Sequence, residues 1–155
     1  MIPPEAWAHL PFFQQDWPAI QTRLEGQDFL PGPQVIFRAL QMLPPNGVRV
    51  VILGQDPYPT PGHADGLAFS VTKNTALPRS LSNIFKEMDS DLNARPSHGD
   101  LTHWAQQGVL LLNTSLSVPP SAAGAHARWG WDKLAHQAVS EAQRHRPLAF
   151  VLWGN

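Results

Sequence analysis

The sequence has no cysteine and almost no net charge, and each absence excludes a class of protein. Without cysteine, neither a disulfide framework nor a thiolate metal site can form. The formal charge of the 155 residues is -1 at pH 7. The chain therefore lacks the broadly basic surface of a protein that coats nucleic acid without specificity. Any contact with nucleic acid must be local.

Long apolar runs are absent too, which bears on location and partners. Residues 1–17 mix proline and charged side chains with apolar ones and contain no continuous apolar signal core. No stretch of the sequence is long enough to span a bilayer. We therefore predict no membrane partner. The lack of cysteine fits a reducing compartment, so we expect a cytoplasmic protein, and we expect it to be a monomer. Because the histidines lack the spacing of metal ligands, we expect neither a metal ion nor another cofactor.

What the sequence does contain is a series of short apolar segments. Hydrophobic residues make up 43% of the chain, which is enough for one domain with a real core over residues 1–155. Most of the short runs are continuous instead of alternating, a pattern typical of parallel strands buried on both faces. The predicted strands lie at residues 48–53, 67–71, 109–112 and 148–153.

Between these runs, apolar residues recur at helical spacing. The spacing predicts helices over residues 33–43, after a Ser80 cap, over 101–107 after an Asp100 cap, and over 131–145. Strand and helix therefore alternate. This alternation favours an α/β fold, and specifically a three-layer α/β/α sandwich around a mainly parallel four-stranded sheet.

Polar residues directly follow the predicted strands, where open α/β sheets bind ligands. Asp56 lies in a loop, residues 54–62, that three prolines stiffen, so its carboxylate can be held to orient a water or stabilise a developing cation. Phe69 lies in the second run and can stack on a nucleobase, while Asn113 follows the third and can pair with a base edge. Singly, Asp56 and Asn113 fit turns and Phe69 fits a core. Their shared edge favours a base pocket.

Several ordered blocks of this sequence resemble family 1 uracil-DNA glycosylases. Gly-Gln-Asp-Pro-Tyr at residues 54–58 is similar to the water-activating loop of that family, and Gly-Leu-Ala-Phe-Ser-Val at 66–71 is similar to the block that follows it. The resemblance covers most of the chain from about residue 33 onward. Further blocks match in order at residues 78–87, 108–114, 126–131 and 152–154.

The resemblance implies a role for each residue of the pocket. Asp56 would act on the water and stabilise the oxocarbenium-like sugar as the N-glycosidic bond of deoxyuridine breaks, which releases uracil and leaves an abasic site. Asn113 would pair with the edge of uracil, and Phe69 would stack on the flipped base. Tyr58 would exclude thymine by a clash with its C5 methyl, and Gln55 would add a backbone contact. Single-stranded DNA would be preferred because extruding a base costs less there.

The resemblance also implies contacts with the DNA backbone. Pro78 and Ser80 match a proline-rich loop, with Ser80 as a phosphate ligand, and Gly154 and Asn155 match the start of a second phosphate-contacting loop. Members of the family meet protein inhibitors that mimic DNA. Uracil-containing DNA and such an inhibitor are therefore the expected partners.

The sequence departs from the family at three residues and in one loop. Pro59, Arg79 and Asn155 stand where the family usually has His, Pro and Ser. No segment matches a later His-Pro-Ser-Pro-Leu-Ser loop whose His donates to the uracil carbonyl. We therefore expect a domain that lacks its C-terminal part and is less active than a longer product. A non-catalytic module that binds uracil or single-stranded DNA, and a glycosylase with altered base preference, are alternative interpretations.

Overall fold

The computed structural model describes residues 1–153, and its centre is a parallel sheet of three strands. The strands are β1 (Val50–Gly54), β2 (Val109–Asn113) and β3 (Ala149–Leu152), in the order β2-β1-β3. In the β1–β2 register, Gly54 lies beside Asn113. Because parallel strands end at one edge of a sheet, the loops that follow β1 and β2 start side by side.

Helices pack against this sheet and against one another. α3 and α5 pack against β2, while α1 contacts both α2 and α6. None of the helices in residues 1–153 combines the length and hydropathy needed to cross a membrane. The helices are α1 (Pro11–Gln15), α2 (Trp17–Leu24), α3 (Arg38–Met42), α4 (Arg79–Leu92), α5 (Thr102–Gln106) and α6 (Trp131–Gln143).

The α/β fold is confirmed, but the prediction of a strand at residues 67–71 is wrong. The backbone there is not extended, because Gly66 has a φ of 91° and Phe69 a φ of 65°. Only an isolated antiparallel bridge joins Ala64 to Val71. Residues 1–153 therefore contain a three-stranded sheet and not the four-stranded sheet that we expected.

The prediction that β3 is buried on both faces is wrong for the residues described here. β3 lies at the edge of the sheet, and two of its apolar side chains are largely exposed: Phe150 at 42% and Leu152 at 68%. By contrast Leu110, Leu111 and Leu112 of β2 are each at most 1% exposed. The same apolar pattern thus gives different burial because the two strands have different neighbours.

The helix predictions differ from the structure mainly at the helix starts. The predicted helix at residues 33–43 forms only as α3, after turns over residues 33–37. Ser80 is not a cap, because α4 begins one residue earlier and its N-cap is Pro78. Asp100 does accept a hydrogen bond from the first amide of α5, that of Thr102, at 2.9 Å.

The N-terminal helices supply aromatic residues to the core, which the sequence patterns did not predict. Phe12 stacks on Trp131 at 5.8 Å between ring centroids, and Trp17 lies 5.6 Å from the same ring. Trp131 itself begins α6 and is fully buried. This aromatic cluster fixes α1 and α2 against the start of α6.

Candidate active site

A small cleft that is open to solvent lies at the carboxyl edge of the sheet. Four of the predicted site residues meet in its lining, namely Asp56, Tyr58, Phe69 and Asn113. Apolar residues form the rest of the wall, including Ile36, Leu67, Leu112 and Leu116. The cleft therefore combines a carboxylate, an amide and two aromatic rings in a mostly apolar enclosure.

The carboxylate of Asp56 is held by a backbone amide from a distant part of the chain. The Gly124 amide donates to Asp56 Oδ2 at 2.5 Å, across a separation of 68 residues. A hydrogen bond from an amide to an ionised carboxylate is short and strong. Asp56 is half-buried, so this bond fixes the direction of its second oxygen, Oδ1. The sequence motifs gave no indication of Gly124, because a backbone amide carries no residue signature.

The loops after β1 and β2 are tied together by their backbones. Thr114 donates its amide to the Gly54 carbonyl at 2.9 Å, and Ser115 donates its amide to the Gln55 carbonyl at 2.9 Å. The Thr114 hydroxyl donates to the same Gln55 carbonyl at 3.0 Å. Gln55 itself is exposed and lies outside the cleft lining among the described residues. The structure therefore makes Gln55 a link between the loops; its predicted contact with a base stays a prediction.

Glycine at position 54 makes room for the side chain of Asn113. A Cβ atom at Gly54 would lie 2.1 Å from Asn113 Oδ1 and 3.1 Å from Ala68 Cβ. The carboxamide of Asn113 therefore lies directly across the end of β1. The sequence placed Asn113 at this edge, but the close approach to Gly54 follows only from the parallel register of the two strands.

Phe69 occupies the left-handed region, which is strained for a residue with a large side chain. Its φ is 65°, and such a conformation costs about 1–3 kcal/mol. The neighbouring Ala68 amide donates to the Leu111 carbonyl of β2 at 3.0 Å, and Tyr58 Oη donates to the Phe69 carbonyl at 3.0 Å. These bonds on both sides of the residue maintain its backbone and set the position of its ring in the cleft.

A buried ion pair supports the loop that carries Phe69. Asp65 is only 8% exposed, and its Oδ2 accepts from Arg38 Nη1 at 2.8 Å and from the Ser70 hydroxyl at 2.7 Å. Its Oδ1 accepts from the Leu67 amide at 3.1 Å. Gly66 is required beside this pair, because its φ is 91° and a Cβ there would lie 2.2 Å from the Val35 carbonyl oxygen. Sequence reasoning missed this network.

Tyr58 connects the cleft to the predicted phosphate ligand. Its hydroxyl lies 3.1 Å from Ser80 Oγ, and Ser80 is exposed near the start of α4. Burial raises the pKa of Tyr58, and the hydrogen bond with Ser80 opposes that rise. Pro78, the N-cap of α4, precedes Ser80 in the same turn. The predicted phosphate-contacting residues Gly154 and Asn155 lie outside the described residues.

A second buried network anchors the loop that contains Gly124. Ser117 Oγ lies 2.8 Å from His126 Nδ1 and accepts from Trp131 Nε1 at 2.9 Å. The imidazole also stacks on Trp129 at 3.7 Å between centroids. His126 is 3% exposed, and burial lowers its pKa. These contacts make His126 a structural anchor of the loop.

Metal ligands are not grouped in the part of the chain that the structure describes. Within residues 1–153, no three His, Asp or Glu side chains lie close enough together to hold a metal ion. The charged group that the cleft offers is the carboxylate of Asp56. Beside that carboxylate, the cleft presents the Asn113 amide and a mostly apolar wall.

Comparison with known proteins relates this site to a family. The family model described as "Uracil DNA glycosylase superfamily" matches residues 40–155. A uracil-DNA glycosylase of Ruegeria sp. (strain TM1040) is 57% identical over 96% of this chain. Uracil-DNA glycosylase 1 of Listeria innocua is 44% identical over 97% of it. The chain spans 64% of the length of the first protein and 69% of the second.

Solved structures show the same fold. A mimivirus uracil-DNA glycosylase superposes with a TM-score of 0.83 at 33% identity, over 93% of this chain and 55% of its own. A mimivirus UNG variant solved in complex with UGI gives a TM-score of 0.86 at 30% identity, over 97% and 61% of the two chains. The family model alone covers well over half of the sequence. This chain belongs to the uracil DNA glycosylase superfamily.

Proposed function

We propose that this chain hydrolyses the N-glycosidic bond of deoxyuridine in DNA, releasing uracil and leaving an abasic site. The supporting observation is the cleft in which Asp56, Tyr58, Phe69 and Asn113 meet, in a chain of this superfamily. The chain spans only part of the length of its relatives. The activity is therefore proposed from these residues and their contacts.

Asp56 is the proposed catalytic residue. When the bond between the sugar and uracil breaks, the electron pair leaves with the base and the sugar acquires oxocarbenium character. The carboxylate stabilises this cation and accepts a proton from the water that adds to the sugar. The hydrogen bond from Gly124 to Oδ2 supports this role, because it fixes the carboxylate before charge develops.

The remaining residues select the base. Asn113 presents an amide donor and acceptor, which match the O4 and N3–H groups of uracil and oppose the corresponding groups of cytosine. Phe69 stacks on the face of the base. Tyr58 lines the same cleft, and its ring is the proposed barrier that excludes thymine by a clash with the C5 methyl. Entry requires a flipped base, so single-stranded DNA is the preferred substrate.

Free-uracil release from a single-stranded oligonucleotide with one deoxyuridine tests this proposal. Asp56→Asn keeps the shape of the side chain and removes its charge, and we expect it to lower the rate by about 100-fold or more. Asp132→Asn, an exposed residue of α6, is the matched control and should behave like the parent. An unchanged rate in Asp56→Asn contradicts the role of the carboxylate.

The same assay separates the alternatives. A parent chain that binds the oligonucleotide without releasing uracil would instead be a binding module. Equal release of thymine or hypoxanthine would indicate altered base preference, a possibility that Pro59 raised in the sequence. Because a mimivirus UNG variant is solved in complex with UGI, we also propose that a DNA-mimicking inhibitor binds this edge of the sheet. It should block uracil release in competition with DNA.

We further propose the three-layer arrangement in which helices cover both faces of the sheet. Successive residues of a strand point to opposite faces, and Leu110, Leu111 and Leu112 are all buried. This burial supports cover on both sides of β2. The monomeric state and the cytoplasmic location stay predictions, and light scattering of the purified chain tests the first of them.

A further inference from the structure

We infer that Ser80, Tyr58 and the Phe69 carbonyl form a relay through which a DNA phosphate bound at Ser80 alters the wall of the base cleft. The inference rests on the proposed function, because it takes Phe69 as the residue that stacks on the base, and it adopts the contact between Ser80 and a DNA phosphate that the family resemblance implies. It adds to that function a coupling between the binding of a backbone phosphate and the binding of the base.

The relay is a continuous line of three oxygen atoms. Tyr58 Oη donates to the Phe69 carbonyl at 3.0 Å and lies 3.1 Å from Ser80 Oγ. Ser80 is exposed, Tyr58 is half-buried, and both Tyr58 and Phe69 line the cleft. The line therefore runs from solvent, at the start of α4, to the backbone of a residue in the cleft wall.

The number of hydrogen atoms fixes the direction of these bonds. A backbone carbonyl has no hydrogen to donate, so Tyr58 must donate its single hydroxyl hydrogen to Phe69. The bond between the two hydroxyls must then come from Ser80, whose hydrogen points at Tyr58 Oη. Tyr58 has its pKa raised by burial, and the Ser80 hydrogen bond opposes that rise. A bond donated to the phenol oxygen acts in this direction, because it favours the phenolate.

A bound phosphate would change this arrangement. Phosphate oxygens of the DNA backbone accept hydrogen bonds, so Ser80 has to turn its hydrogen from Tyr58 to the phosphate. Tyr58 Oη then loses a donor, or Tyr58 turns its own hydrogen toward Ser80 and leaves the Phe69 carbonyl. Both rearrangements alter a bond at the cleft wall. Phe69 is sensitive to such a change because its left-handed backbone, with a φ of 65°, depends on its neighbours.

The chain contains a single tyrosine, which allows the relay to be observed directly. Tyrosine labelled with ¹³C at Cζ gives one resonance, and that resonance responds to hydrogen bonding at the phenol oxygen. The probe ligand is oligothymidylate, which carries backbone phosphates and no uracil. We expect it to shift the resonance of the parent chain. In Ser80→Ala we expect the resonance to differ from that of the parent chain before oligothymidylate is added, and to change little when it is added.

Ser82→Ala provides the matched control, because Ser82 lies in the same helix and Tyr58 bonds to Ser80 instead. This variant should behave like the parent. A parent resonance that does not move with oligothymidylate overturns the relay. So does an equal shift in the parent and in Ser80→Ala, because the signal then reaches Tyr58 by another route.

Binding of free uracil gives a second and independent test, since uracil carries no phosphate to contact Ser80. We expect Ser80→Ala to change the uracil dissociation constant about threefold or more, and to have no effect when Tyr58→Phe is already present. Equal effects in both backgrounds overturn the relay alone. A parent chain that neither binds nor releases uracil overturns the proposed function itself, and the relay with it.

Discussion

Gly54→Ala tests whether the position of the Asn113 amide, which we propose pairs with the base, depends on the absence of a side chain at the end of β1. The added Cβ would lie 2.1 Å from Asn113 Oδ1, whereas ordinary contact begins near 3.4 Å. The amide oxygen of Asn113 must therefore move by about 1 Å. A displacement of about 1 Å in a group that positions the substrate can lower the rate of reaction about 100-fold. Gly54 lies in a strand, so its backbone tolerates alanine.

The expected result is a decrease of about 100-fold in kcat/KM for uracil release, which corresponds to about 2.7 kcal/mol of transition-state stabilisation. Thermal unfolding of the same variant should show a smaller change, because the severe clash is with the end of one side chain in the cleft wall, that of Asn113. Comparing the thermal unfolding of the variant with that of the parent chain shows whether the activity falls only because less of the protein is folded.

A double-mutant cycle identifies the cause. If the clash with the amide is responsible, Gly54→Ala has little effect in an Asn113→Ala background, where there is no carboxamide to displace. The Ala68 side chain, 3.1 Å from the added Cβ, accounts for a small residual effect. An undiminished effect of Gly54→Ala in that background would refute the reasoning, since the damage would then come from elsewhere in the loop.

Two further predictions concern the networks behind the cleft. Asp65→Asn removes the charged partner of the partly exposed Arg38 guanidinium, and we expect urea unfolding to show a loss of about 1–3 kcal/mol. A loss below about 0.5 kcal/mol would contradict a supporting role. Burial lowers the pKa of His126, so the unfolded chain binds more protons. The contribution of the neutral imidazole to the free energy of unfolding should therefore be fully present above about pH 6.5 and be lost as the pH falls below that value. His126→Gln should flatten this fall, and an identical pH dependence in the variant would refute the assignment.

The sequence predicted the centre of the sheet well because consecutive residues in the middle of β1 and β2 are buried. β1 and β2 are short apolar runs, and a strand covered on both faces needs no alternation. The prediction was wrong at residues 67–71, where an equally apolar run folds as a loop. Two features decide this outcome, and neither is visible in hydropathy. Gly66 and Phe69 have positive φ values, and the buried carboxylate of Asp65 accepts a hydrogen bond from the Leu67 amide.

The convergence of Asp56 and Asn113 could be predicted because it depends on topology alone. Residues that follow neighbouring parallel strands must meet at one edge, and the cleft contains both. Their immediate supports could not be predicted. The amide that holds Asp56 belongs to Gly124, 68 residues away, and backbone groups leave no mark in a sequence pattern. The steric demand on Gly54 requires a register that only the folded sheet provides.

The supports of Asp56 have a consequence for the reaction itself. A carboxylate that stabilises a developing cation is most effective when it is fixed beforehand, because no energy is then spent on reorganising it. Asp56 is held by Gly124, and the loop of Gly124 is anchored two residues later by the buried His126, through its contact with Ser117. An anchor of this kind acts on the position of the carboxylate and makes no contact with the base. Loosening it through His126→Gln should therefore reduce kcat and leave the dissociation constant of free uracil nearly unchanged.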